Sequence, residues 1–142
     1  MPANTTPIYT DVPHVEWVNG IGTGTANTST DGTGTLNTNI WSVFTAGSSG
    51  SYIESIRVKQ VGTNIASLIR VFINNGSTNG TASNNSMIGE IATPAIAISS
   101  SANNLDQDYP IGRAIPAGYR ILVTVATQVS NGFAVTTFGG DY

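Results

Sequence analysis

The sequence predicts an all-β fold, an antiparallel β-sandwich of the jelly-roll type with about eight strands. Three observations carry this expectation. From residue 40 onward the chain is a series of short apolar runs, several alternating with a period of two and set off by Gly, Asn, Ser and Pro. No stretch sustains apolar residues at the 3.6-residue period of a helix. With 142 residues and no cysteine, the chain has the length of one domain, able to bury roughly 70% of its unfolded surface, and packing and strand pairing must hold it without disulfides.

Residues 1–20 read as an extended N-terminal arm, because Pro2, Pro7 and Pro13 each fix φ and remove a backbone donor. Ile8, Tyr9, Val12, Val15, Trp17 and Val18 make this arm too apolar to remain free. It is expected to dock, either on its own domain or on a neighbouring subunit. Residues 21–142 are expected to form the single sandwich domain.

Within residues 20–35 the tetrad Gly-Thr-Gly-Thr occurs twice, beginning at Gly22 and Gly32. Thr favours strands and Gly interrupts them, so a polar hairpin or edge region around Asp31-Gly32 is expected. A phosphate-binding glycine loop needs a buried strand before it and a helix after it, and the sequence offers neither.

The strands expected after this region are residues 40–45, 52–61, 65–73, 87–92, 95–99, 111–115, 119–125 and 133–138. Ile56 and Val58 alternate with Arg57 and Lys59; Ile65, Ile69, Val71 and Ile73 alternate with Leu68, Arg70 and Phe72. The runs 52–61 and 65–73 are expected to pair as a hairpin through Gly62-Thr63-Asn64. Residues 74–85 form a long Asn/Ser/Thr/Gly loop with no core residue. The strongest strand sets Tyr119, Ile121, Val123 and Val125 on one face, and Asn131-Gly132 turns the chain into the last one.

The residue inventory argues against catalysis, and the chain is not expected to be an enzyme. The one histidine, His14, has no Cys partner, and no Ser lies in a nucleophile-elbow motif. A glycosidase would need two carboxylates across a cleft; Glu16, Glu54, Glu90, Asp106, Asp108 and Asp141 are the candidates, and no clear acidic cluster stands out. Asp106-x-Asp108 has the first two positions of a calcium loop without its Gly and terminal Glu, so capping of a loop is the expected role. No cofactor and no metal are expected.

Charged residues make up only 9% of the chain, against about 25% in an average domain, and the net charge is −3. The surface must therefore be mostly Thr, Ser, Asn and Gly. Such a surface suits dense packing beside other subunits, and it also suits a plain monomer. Arg57, Lys59, Arg70, Arg113 and Arg120 form no run, so nucleic acid is not an expected partner. The first residues lack the basic and apolar regions of a signal peptide, and no segment approaches the ~20 apolar residues of a membrane span. Neither export by that route nor a membrane is expected.

Five pieces carry a resemblance over residues 52–142. They are Ile53-Glu54-Ser55-Ile56-Arg57-Val58-Lys59-Gln60-Val61-Gly62-Thr63-Asn64, Arg70-Val71-Phe72-Ile73-Asn74-Asn75-Gly76, Ile88-Gly89-Glu90, Ile115-Pro116-Ala117-Gly118-Tyr119-Arg120 and Thr136-Thr137-Phe138-Gly139-Gly140-Asp141-Tyr142. In these the chain resembles small bacteriophage and prophage virion structural proteins. The resemblance implies a capsid decoration or cement protein, a homo-oligomer with a trimer favoured, made in the host cytoplasm and seated on the capsid surface of the virion against the major capsid protein. It equally admits a tail or head-fibre protein with a carbohydrate- or receptor-binding role, and it supplies no catalytic residues. Tyr9, Val12, His14 and Trp17 of the arm are the expected partner-binding residues, on the argument that an extended arm can bridge subunits by adding a strand to an exposed edge.

Overall fold

The computed structural model describes residues 10–142. Eight strands follow one another: β1 (Val12–Ile21), β2 (Trp41–Thr45), β3 (Ser51–Gln60), β4 (Ser67–Asn74), β5 (Asn85–Thr93), β6 (Asp106–Ile115), β7 (Arg120–Val125) and β8 (Phe133–Asp141). A single 3₁₀ turn, Ala82–Asn84, is the only helical element among the described residues.

The antiparallel pairs β1·β8, β2·β7, β3·β6 and β4·β5 are nested inside one another, as in one long hairpin whose tip lies between β4 and β5. Pairing of β3 with β8 and of β4 with β7 rolls this hairpin into two four-stranded sheets, ordered β1-β8-β3-β6 and β2-β7-β4-β5. This is the jelly roll, and it accounts for the alternation in the sequence: each strand gives one side chain in two to the space between the sheets. Ile53, Ile56, Val58, Phe133 and Val135 from the first sheet meet Val43, Ile69, Val71, Ile121, Val123 and Val125 from the second in one continuous core.

The expected hairpin between residues 52–61 and 65–73 does not form, since β3 and β4 lie in opposite sheets. Both strands carry a complete apolar face, and those faces bury each other across the core rather than lying side by side. The connection is fixed by Asn64, buried, whose side-chain amide donates to the Gly132 carbonyl at 2.8 Å and whose side-chain oxygen accepts from the Asn131 N–H at 2.9 Å. The expected strand at 95–99 is reduced to one bridge, Asn64 with Ile96, beyond Pro94. Residues 12–20 of the expected arm instead belong to β1, paired along β8. The strand count of eight therefore stands with different members.

Two further differences concern polar sequence. β6 begins at Asp106, not Ile111; as the outer strand of its sheet it tolerates solvent-facing carboxylates and Pro110. The Gly/Thr region forms no hairpin. It crosses the outer face of the second sheet as an irregular loop, with the Asn27 N–H on the Val125 carbonyl of β7, the Arg70 guanidinium of β4 on the Thr28 carbonyl, and the Asn85 amide of β5 on the Asp31 carbonyl. Asp31 organises its turn by accepting from the Ser29 and Thr33 hydroxyls and the Thr33 N–H, and these bonds, Ser29 first, lower its pKa to about 2. Side chains that bond their own backbone compete with strand pairing, which is why Thr-rich sequence stays irregular here. Beneath the loop, Ile40, Phe72 and Leu122 form a second, small core.

Candidate functional site

The exposed apolar side chains of the first sheet gather on the outer face of β1 and β8. Alternation in β1 turns His14, Glu16 and Val18 inward and Pro13, Val15 and Trp17 outward. Val15 lies directly opposite Phe138 of β8, Trp17 opposite Thr136, and Pro13 opposite Gly140; Gly140 in turn neighbours Tyr52 of β3. Opposed and diagonal positions on one sheet face are neighbours, which places Val15, Trp17 and Phe138 in a stripe that Tyr52 borders from β3, its hydroxyl directed toward Gly112 of β6. Trp17 is 64% exposed, Val15 43% and Phe138 36%. An exposed tryptophan flanked by two apolar side chains on a sheet face marks a surface that gains by being covered.

Next to this stripe the same face is charged and internally neutralised. Arg57 of β3 makes two 2.8 Å bonds to the Asp106 carboxylate, with Asp108 at 3.7 Å, and Lys59 approaches Asp106 at 3.8 Å. The hydrogen bond from Arg57 and the two nearby cations outweigh desolvation and lower the Asp106 pKa. The expected loop-capping role of Asp106 and Asp108 is thus replaced by cross-strand ion pairing. Arg70 and Glu90 pair likewise at 2.9 Å between β4 and β5.

The arm residues expected to bind a partner separate. Tyr9 lies outside the described residues. Val12 is exposed at the rim, at the start of β1. His14 turns inward, where its ring packs on Phe44 of β2 with centroids 4.4 Å apart. Its Nδ1 lies 2.9 Å from Asp141 Oδ1 and its Nε2 2.9 Å from Glu16 Oε1. Of the three described, Trp17 presents the largest apolar surface outward. Val15, Phe138 and Tyr52 were missed as site residues; Val15 was legible from its parity with Trp17, whereas Phe138 and Tyr52 join the stripe only through strand pairing.

Glu16 and Asp141 are the carboxylates that the fold brings together, one on each nitrogen of His14. Ser51 donates its hydroxyl to Asp141 as well, so the carboxylate stands between hydroxyl and imidazole. The imidazole has no contact through which to take the serine proton, and this order lacks the nucleophile–base pair of a triad. Among the described residues, no three His, Asp or Glu side chains are grouped to hold a metal ion. No helix among them is long and apolar enough to cross a membrane.

At the opposite edge of the sandwich, β5 and β6 leave an apolar cleft of about 420 Å³ lined by Ile73, Ile88, Tyr109, Ile111, Ile115 and Ile121. Tyr109 spans its mouth by donating its hydroxyl to the Ile88 carbonyl at 2.9 Å. No carboxylate lines it.

All four sheet edges are interrupted. β1 contains Pro13 and a register break between Val18 and Ile21. β2 has five residues and its own break, the β4·β5 ladder shifts between Val71 and Phe72, and β6 carries Pro110 and Gly112, the latter at φ +59°. Prolines, bulges and short strands discourage a further strand from pairing.

No protein-family model matches the chain, and no curated protein matches it. Among solved structures it is similar to one of infectious bursal disease virus, Gx strain, at 12% identity and a TM-score of 0.36, over 91% of this chain and 33% of that one. It is also similar to a mutant VP2 protein of that virus in derived T=1 particles, at 10% identity and a TM-score of 0.31, over 91% of this chain and 32% of that one. A VP2 subviral particle gives 9% identity and a TM-score of 0.29, over 93% and 34%. The chain spans about a third of the length of these chains, and likeness at this level carries no argument.

Proposed function

We propose that this chain is a structural component of a bacteriophage particle, a capsid decoration or cement protein that binds the major capsid protein at the virion surface and has no enzymatic role. The observation that carries this reading is the exposed apolar stripe of Trp17, Val15 and Phe138 on the outer face of β1 and β8, with Tyr52 of β3 at its border, beside sheet edges that are interrupted. Covering one such side chain fully is worth roughly 1.5–3 kcal/mol, and these are already partly covered, so a single contact is weak. Repeated over many copies and within a homo-oligomer, weak contacts add to a strong clamp. The resemblance in sequence to small virion proteins supports the same reading.

Particles lacking this chain, mixed with the purified protein, test it. Wild type is expected to bind at a copy number near that of the major capsid protein, and Trp17→Ser to bind at least about tenfold more weakly, as loss of an interface anchor does. Equal binding of the two would overturn the reading.

A tail or head-fibre protein that binds carbohydrate or a receptor is the second reading, favoured by one observation: Trp17, Tyr52 and Phe138 are three aromatics on the outer face of one sheet. A handful of copies per particle would select it.

A further inference from the structure

β1 is the outermost strand of its sheet, and half of it is held to the opposite sheet in an unusual way. Val18 and Ile21 pack on the main core, but from Val12 to Glu16 no aliphatic side chain reaches that core. In that half the imidazole of His14 and the carboxylate of Glu16 take its place. His14 stacks on Phe44, and Glu16 accepts the Thr45 N–H at 3.1 Å, both on β2. His14 also reaches Asp141 of β8, which holds the Ser51 hydroxyl at the start of β3, and Ser51 accepts the Gly47 N–H at 2.9 Å. One side chain thus connects β1, β2, β3 and β8.

Both ring nitrogens face carboxylate oxygens, and only a protonated imidazole can donate to both. We infer that His14 is a pH-dependent latch that fixes the first half of β1 to the sandwich, closed while the ring is protonated and loosened when it loses that proton. The consequence for particle binding, and only that, rests on the docking face proposed above, because Val15 and Trp17 ride on the latched strand.

Among the described residues, the titratable groups facing the ring are Asp141 from β8 and Glu16 from β1; β2 presents the Phe44 ring and the Thr45 backbone. Asp11, just before β1, bonds Asp141 only through its backbone N–H. The cations are engaged elsewhere: Arg57 and Lys59 by Asp106 and Asp108, Arg70 by Glu90, Arg120 by Asn74 and the Ser77 carbonyl, Arg113 by the Gly112 carbonyl. Deprotonation therefore leaves one carboxylate facing a nitrogen lone pair, with no other cation among the described residues to relieve it.

Burial alone lowers the His14 pKa, but the hydrogen bonds and charges of Asp141, then Glu16, outweigh it and raise the pKa above 6.5. Burial alone raises the Asp141 pKa, and the bonds from Ser51 and His14 bring it below 3.8. The histidine contribution is accordingly complete below pH 6.5 and is lost as pH rises through the raised folded value; the aspartate contribution is complete above pH 3.8 and is lost as pH falls through the lowered one. The latch is fully closed between these limits.

Hydrogen exchange of the full chain at pH 6 and pH 9, read as the ratio of β1 to β7 amide rates, tests the latch, since the ratio cancels the intrinsic dependence on hydroxide. In wild type the ratio is expected to rise about tenfold, the effect of losing one charge-assisted hydrogen bond. It is expected to stay flat in His14→Gln and to rise less in Glu16→Gln. An NMR titration of the single imidazole needs no variant and is expected to have its midpoint above pH 6.5. A midpoint at or below that value, or the same rise in wild type and His14→Gln, overturns the latch. Trp17→Ser is expected to keep the rise. If wild type shows the rise yet never binds particles, the docking reading fails and the latch stands.

Discussion

Asparagine does in this protein much of what ion pairs do elsewhere. With 9% charged residues, the two polar loops on the second sheet are joined by amides: Asn79 donates to the Gly34 carbonyl at 2.7 Å, and Asn85 to the carbonyls of Asp31 and Asn79 at 3.2 and 2.9 Å. Asn85→Ala removes its own bonds to Asp31 and Asn79 and the 2.7 Å bond that Asn85 accepts from Asn74. It is expected to cost about 2 kcal/mol in urea unfolding, since partners at the loop interface are left unsatisfied. Gly89 is set by close approach, because a Cβ there would lie 1.8 Å from the Tyr109 hydroxyl oxygen. Gly89→Ala is expected to push the ring out of the cleft mouth, break its bond to Ile88 and cost about 1–3 kcal/mol by thermal or urea unfolding. Trp17→Ser, by contrast, removes an outward side chain and is expected to leave stability within about 0.5 kcal/mol while weakening particle binding. Neither the Asn85 role nor the Gly89 role is visible at the residue itself. Asn85 reads as one more loop asparagine, and Gly89 lies in a strand of no special composition.

At the scale of elements, the alternation of β4 assigns Phe72 to the reverse side from Ile69 and Val71, and that side would be solvent in a bare sandwich. The Gly/Thr loop covers it. Phe72→Ala is therefore expected to cost about 3–5 kcal/mol, as for a core phenylalanine, measured by chemical denaturation. Gly32 allows the loop to lie so close: its φ is +73°, and a Cβ would stand 2.8 Å from the Asn85 Cβ and 3.0 Å from the Phe72 ring. The sequence did contain the signal. Leu68, Ile69, Val71, Phe72 and Ile73 in β4 and Ile121, Leu122 and Val123 in β7 are nearly unbroken apolar runs, which indicate strands covered on both faces. Which segment covers them is not in those runs.

For the whole molecule, the nested pairing joins Val12 to Asp141 and Trp41 to Val123, with only β4 and β5 close in sequence. Folding is expected on the millisecond-to-second scale, since long loops must close before most pairs form. Stopped-flow refolding checks this, and the expected order places β4·β5 early and β1·β8 last. Substitutions in β4 should then slow folding, and substitutions in β1 should mainly speed unfolding. β1, which carries Val15 and Trp17 of the exposed stripe, is thus also the strand expected to join the nested ladder last.

By itself the sequence determined the class of fold, the inward residues of most strands and the scarcity of charge, because alternation, turn residues and composition are local quantities that each residue states in place. The tertiary structure decided which strands lie side by side, that the Gly/Thr segment is a lid, and that Trp17, Val15, Phe138 and Tyr52 share a face while His14 meets Asp141. Those facts belong to pairs of residues up to 127 positions apart. Local pattern is indifferent to such pairs: an apolar face packs as well beside a neighbour in its own sheet as across the core, and only the closing of the roll chooses between them.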